Sequence, residues 1–164
     1  MDAYAAVVGK RDTRSYTDEP VGDDDLRRVL QAGRMAGSAK NAQLTRLVVV
    51  TDSEQRRRLT ESGDFTSWIH TAPVIIVLTM PVEDGRLFDV GRMAQNMMVV
   101  AHSLGLGTCP VTFQHQDRLR QVLGMPGDVE GRHAITLGHR GTEPSNPLRS
   151  SRVALDDLVH RDRW

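Results

Sequence analysis

The sequence predicts one α+β or α/β layer domain, and three observations carry that expectation. Short β-branched runs, Leu47–Thr51, Pro73–Thr79 and His133–Gly138, are separated by segments with helical spacing. The helical segments outweigh the strands. One segment, Val90 to Leu104, is apolar nearly all round, so it is a core or interface helix rather than a surface one. At 164 residues the chain is long enough for one real core and too short for two ordinary domains. No repeat, low-complexity linker or defensible boundary interrupts it, so residues 1–164 are taken as a single domain.

The elements follow in order. Asp2 can cap a short first helix with Tyr4, Ala5, Val7 and Val8 on its apolar side. A basic turn follows, Lys10-Arg11-Asp12-Thr13-Arg14-Ser15-Tyr16. Asp23, Asp24 and Asp25 suit the first turn of a second helix, whose inward stripe is Leu26, Val29, Leu30 and Gly33. Ala36 to Gln43 is a loop of small and amide residues. Leu47–Thr51 reads as a strand covered on both faces. Ser53 to Ser62 reads as a polar helix capped by Ser53, and Pro73–Thr79 as a second buried strand. A short link, Pro81 to Leu87, leads into the apolar helix. There Gln95, Asn96 and His102 need partners if buried. Gly105 suits the left-handed stop of that helix, and Leu106–Val111 turns into extended chain. Gln116 to Leu123 is a short helix closed by Gly124 and Pro126. After the strand at His133–Gly138 comes a polar loop, Arg140 to Ser151, and a last helical turn within Val153–His160.

Composition narrows the function. Hydrophobic residues make up 39% and charged residues 26%, as in a globular protein in water, and the formal net charge is +0. That balance argues against a nucleic-acid or acidic-membrane binder. No apolar run reaches membrane-spanning length, and no signal-peptide pattern follows Met1. With one cysteine, Cys109, an internal disulfide is impossible, which fits a cytoplasmic setting. The six histidines lack metal-ligand spacing, and no nucleophile elbow or phosphate-loop pattern occurs. No side-chain set advertises its own chemistry, so an enzymatic role points to a borrowed cofactor and no metal.

Three candidate constellations remain. Lys10, Arg11 and Arg14 place three cations within five residues and could hold a phosphate by charge-assisted bonds, although composition alone favours a solvated charged loop. Tyr16 packing behind them would favour the binding role. Ser38 to Gln43 could read the polar edge of a planar ring, or be a plain connection. Arg149 and Arg152 stand in or beside the polar loop near the end of the chain.

Taken together and in order, these pieces resemble the nitroreductase family. Lys10–Tyr16 is similar to its opening basic signature, and Ala36–Gln43 with Leu47–Val50 to its amide loop and strand. Ala94-Gln95-Asn96-Met97 and His102 to Gly107 are similar to its central helix. Gly124-Met125-Pro126, Leu137-Gly138 and Leu155–His160 resemble the closing segments. The resemblance implies an α+β three-layer fold, a central mixed or antiparallel sheet flanked by helices, in an intertwined homodimer with the central helix, and Met97 on it, at the interface. It further implies two FMN molecules between subunits, NADH or NADPH as reductant, and ping-pong transfer to a small organic acceptor such as a nitroaromatic or quinone.

The same resemblance distributes the site. Lys10, Arg11 and Arg14 would meet the FMN phosphate and the N1/O2 edge of the ring, where a fixed cation favours the reduced flavin. Ser38 and Asn41 would reach the FMN held mainly by the partner. Backbone at Pro110, Thr112 and Phe113 would approach N5 and O4, and Arg149 or Arg152 would close over the phosphate. The sequence departs from the family at Leu44-Thr45, where Pro-Trp is usual, and at Lys10, where arginine is usual. Asp12 often gives way to serine, and its carboxylate needs neutralising by Arg11 or Arg14. The short link at Pro81–Leu87 implies an open pocket. The Leu44-Thr45 departure motivates an alternative, a flavin-binding protein without turnover.

Overall fold

The structure, a computed structural model, describes residues 1–142 and 152–164. Its elements are α1 (Ala3–Gly9), α2 (Asp23–Arg34), β1 (Arg46–Val50), α3 (Ser53–Leu59), β2 (Val74–Pro81), α4 (Leu87–Ser103), β3 (Leu106–Thr112), α5 (Gln116–Leu123), β4 (Val129–His139) and α6 (Leu155–Leu158). The four strands form one sheet in the order β1-β2-β4-β3, and every pairing is antiparallel.

Strand alternation divides the core into two layers. Val74, Ile76, Leu78 and Met80 of β2, with Ile135 and Leu137 of β4, pack against Val29 of α2 and Val90, Met97 and Ala101 of α4. Ile75, Val77 and Ala134 point the other way, against Leu59 of α3, Phe113, and Leu119 and Val122 of α5. Helices therefore cover both faces of the sheet, giving three layers.

Most boundaries fall where local chemistry puts them. Asp2 accepts from the Ala5 N–H at 2.8 Å as the α1 cap. Gly105 adopts φ 84° and Gly124 φ 63°, the left-handed conformations that end α4 and α5.

Five expectations are corrected. The cap of α3 is Asp52, one residue ahead of Ser53, because its Oδ1 reaches the free Gln55 N–H and accepts from it at 2.8 Å. The run Leu47–Val50 is not covered on both faces. β1 is an edge strand, Leu47 and Val48 are half-buried and Val49 is 36% exposed. β4 begins at Val129 rather than His133, since Val129 and Glu130 still pair with Pro81 and Met80 beyond a register shift in β2. α4 does have an exposed face in the single chain, where Gln95 lies in the open and Asn96 donates to the Ala32 carbonyl at 3.2 Å. Met97 is wholly buried in its own chain's core, where a Cβ added at Gly33 would lie 2.9 Å from its Sδ.

Candidate functional site

The basic turn crosses the outer edge of the sheet. Gly9 and Lys10 lie beside α4: a Cβ at Gly9 would come within 3.2 Å of His102, and Lys10 Nζ is 3.4 Å from Met98 Sδ. The chain then runs over β3, with Thr13 N–H donating to the Thr108 carbonyl at 2.9 Å. It ends on the opposite face, where Tyr16 donates from its hydroxyl to the Thr13 carbonyl (2.7 Å) and shares a 2.6 Å hydrogen bond with buried Thr136. Burial pushes the Tyr16 phenol well above its ordinary range. Tyr16 thus packs behind the cations, the arrangement that favours a built binding turn over a loose charged loop.

The three cations do different things. Arg11 is exposed and donates to the Val8 and Lys10 carbonyls at 2.8 Å each, which fixes its stem and leaves other guanidinium donors outward. Arg14 is exposed and stands 5.2 Å over the Trp68 ring, a cation–π placement. Burial pushes the Cys109 thiol up, and Arg14 partly draws it back. Lys10 forms an ion pair with Asp12. The expected neutraliser of Asp12 was Arg11 or Arg14; the short reach across one residue gives that part to Lys10 instead.

On the far side of the cluster, Arg140 donates to His102 Nδ1 at 2.9 Å, which requires a neutral imidazole. Burial and the neighbouring cations Arg140, Lys10 and Arg11 lower the His102 pKa accordingly. Sequence reasoning did not select Trp68 or Arg140. Each sits far along the chain from the basic turn, and only the packed fold brings them to it.

β3 supplies the backbone. The Thr108 carbonyl points out to Thr13, whereas Phe113 N donates inward to Arg132 O at 2.9 Å. The alternation of an antiparallel ladder then turns the Pro110 carbonyl and the Thr112 N–H and carbonyl outward, on the edge away from β4. Proline is suited to such an edge because it has no N–H to leave unpaired. Pro110 and Thr112 are exposed. Phe113 is fully buried and anchors the strand's end in the core, so its side chain is structural. Gly107 lets the turn come this close: a Cβ there would collide with Thr13 and lie 2.9 Å from Arg140 Cγ.

Ser38 and Asn41 lie elsewhere in the same chain. Their loop is tied to the first turn of α4 by Ala39 N–H donating to Asp89 (3.1 Å), whereas the basic turn meets α4 at Met98. Asp89 and Met98 are nine residues apart, about 14 Å at about 1.5 Å per residue. One chain does not bring the two halves of the expected site together. Beneath that loop is a cavity of about 160 Å³, lined in part by Leu44, Thr45, Arg46 and Met93. Arg152 is exposed in the tail ahead of α6, and Arg149 lies outside the described residues. Among the described residues, no group of His, Cys, Asp and Glu could hold a metal ion, and no helix is long and apolar enough to cross a membrane.

The profile of the nitroreductase family matches residues 7–62 and 65–139. An NADH dehydrogenase of Thermus thermophilus is 28% identical over 196 residues, covering 94% of this chain and 96% of the relative. An FMN reductase [NAD(P)H] of Bacillus subtilis is also 28% identical, over 180 residues, covering 94% of this chain and 72% of the relative. An FMN-dependent nitroreductase structure from Clostridium difficile superposes with a TM-score of 0.84 over 98% of this chain and 99% of that one. At 22% identity, that last likeness speaks for the fold alone.

Proposed function

The chain belongs to the nitroreductase family, and on that premise we propose that it is an FMN-dependent NAD(P)H oxidoreductase acting on a small organic acceptor such as a nitroaromatic or quinone. One observation carries the reading: exposed Arg11 and Arg14 stand beside an edge strand that turns the Pro110 carbonyl and the Thr112 N–H outward. Phosphate calls for guanidinium donors, and a flat heteroaromatic ring calls for close backbone donors and acceptors. The donor set therefore fits FMN. Lys10, Arg11 and Arg14 would hold the phosphate and the N1/O2 edge, and Pro110 and Thr112 would hold the opposite edge with Phe113 buried as their anchor. Arg149 or Arg152 would cover the phosphate.

When bound, FMN supplies the hydride and electron transfer. The chain's own part is to position the ring, to place fixed positive charge near it, and to leave one face open to donor and acceptor in turn. That sharing of one face is the basis of the ping-pong order.

We place the complete site between two copies of the chain. The roughly 14 Å along α4 separating Ser38 and Asn41 from the basic turn supports this. So do large apolar side chains left in the open: Tyr4 on α1 (78% exposed), Phe88 on α4 (77%) and Trp164 in the tail (100%). The test is steady-state kinetics with NADH or NADPH against a quinone and a nitroaromatic, at several fixed concentrations of each. Parallel double-reciprocal lines are expected. Converging lines would overturn the ping-pong order, and no turnover of FMN-loaded protein would favour the flavin binder without turnover.

A further inference from the structure

The loop that carries Ser38 and Asn41 is strained. Lys40 (φ 54°), Asn41 (φ 53°) and Gln43 (φ 49°) all occupy the left-handed region without being glycine. Asparagine tolerates that region; lysine and glutamine do so poorly, and such residues persist only where surroundings over-determine them. Most of the loop's bonds are local. Asn41 N–H donates to the Ser38 carbonyl at 3.0 Å, Ala42 N–H to the Ala39 carbonyl at 3.1 Å, and Gln43 N–H to Ser38 Oγ at 3.0 Å.

Two ties come from a distant element. Arg86 Nη1 donates to the Ala39 carbonyl at 2.7 Å, and Asp89 Oδ2 accepts from the Ala39 N–H at 3.1 Å. Arg86 is the residue before α4 and Asp89 is in its first turn, so both are carried by the longest helix of the fold. They grip both polar groups of one residue, immediately before the first left-handed position.

We propose that Arg86 and Asp89 are positioning residues that hold Ala39 from both sides, keep the 38–43 loop in its strained shape and thereby present Ser38 and Asn41 ready-formed to FMN. The proposal rests on the FMN reading given above. Neither side chain is assigned contact with the cofactor. They act through Ala39, so their contribution lies in preorganisation of the loop rather than in charge.

At Asp89, charge and positioning predict opposite signs, which makes the proposal testable. The FMN dissociation constant is measured by fluorescence titration of apo-protein for wild type, Arg86→Ala, Asp89→Ala and Asp89→Asn. Positioning predicts about tenfold weaker binding for each alanine variant. It predicts near-wild-type affinity for Asp89→Asn, whose amide oxygen can still accept from Ala39. A charge effect on anionic FMN would instead make Asp89→Ala and Asp89→Asn bind more tightly, and that result overturns the proposal.

Limited trypsin cleavage after exposed Lys40, followed by mass spectrometry on the apo-protein, reads the grip without cofactor. Faster cleavage in both alanine variants, with Asp89→Asn like wild type, supports the grip; unchanged cleavage overturns it. If wild-type protein binds no FMN, the cofactor reading fails and with it the role proposed for the loop, while the cleavage result still reports on the grip separately.

Discussion

Replacing Tyr16 with phenylalanine probes whether the basic turn is built into the fold or merely lies on it. The ring stays and only the hydroxyl goes, so packing changes little. Two hydrogen bonds are lost, to the Thr13 carbonyl at 2.7 Å and with Thr136 Oγ1 at 2.6 Å. Thr136 is fully buried, and its hydroxyl keeps only a 3.2 Å bond to the Cys109 carbonyl. At about 1 kcal/mol per bond the loss is about 2 kcal/mol. For a chain of this size that corresponds to a fall in Tm of about 4–8 °C. Urea unfolding of apo-protein followed by far-UV circular dichroism measures it. A double-mutant cycle with Thr136→Val should return a coupling energy of about 1 kcal/mol. A loss under about 0.5 kcal/mol for Tyr16→Phe, with no coupling to Thr136, would refute the claim that this hydroxyl pins the turn to the sheet.

Three further predictions follow from the same region. Arg14→Ala should weaken FMN binding by about 1.5–3 kcal/mol, the range of a charge-assisted contact, and an unchanged titration would mean the cofactor is misplaced. Gly107→Ala should destabilise the protein by about 1–3 kcal/mol, because the added methyl meets Thr13 and Arg140 where the turn crosses β3; a melting curve identical to wild type would remove that close approach. The lowered pKa of His102 means that its contribution to stability is present above the unfolded value of about 6.5 and is lost as pH falls through the folded one. Stability measured from pH 8 to 5 should therefore fall less steeply in His102→Gln than in wild type. His133, also lowered by burial and Arg132, would supply the slope that remains. Equal slopes would contradict the neutral His102 required by the Arg140 contact.

The fold was largely legible because its signals are local. The β-branched runs, Gly105, Gly124 and the acidic first turn of α2 each act within a few residues. What sequence could not separate was neighbourhood. Leu47–Val50 reads alike whether a strand is central or at an edge, and here it is an edge. Met97 looks like any interface methionine until α2 is packed against it. The ordered motifs pointed to the basic turn and to Pro110 and Thr112, yet Trp68 under Arg14, and Arg86 and Asp89 on Ala39, depend on contacts made 47 or more residues away in sequence. No periodicity reports such pairs. The departure at Leu44-Thr45 was visible, but the small cavity beside it was not.

The central claim is that this chain holds FMN and passes electrons from a nicotinamide through it. The most direct measurement is the visible absorbance of the protein as purified and after addition of FMN and removal of the excess, followed by anaerobic NADH or NADPH. The account predicts a yellow protein with about one FMN per chain whose flavin absorbance bleaches with at least one of the two reductants. A protein that remains colourless after FMN addition would contradict it.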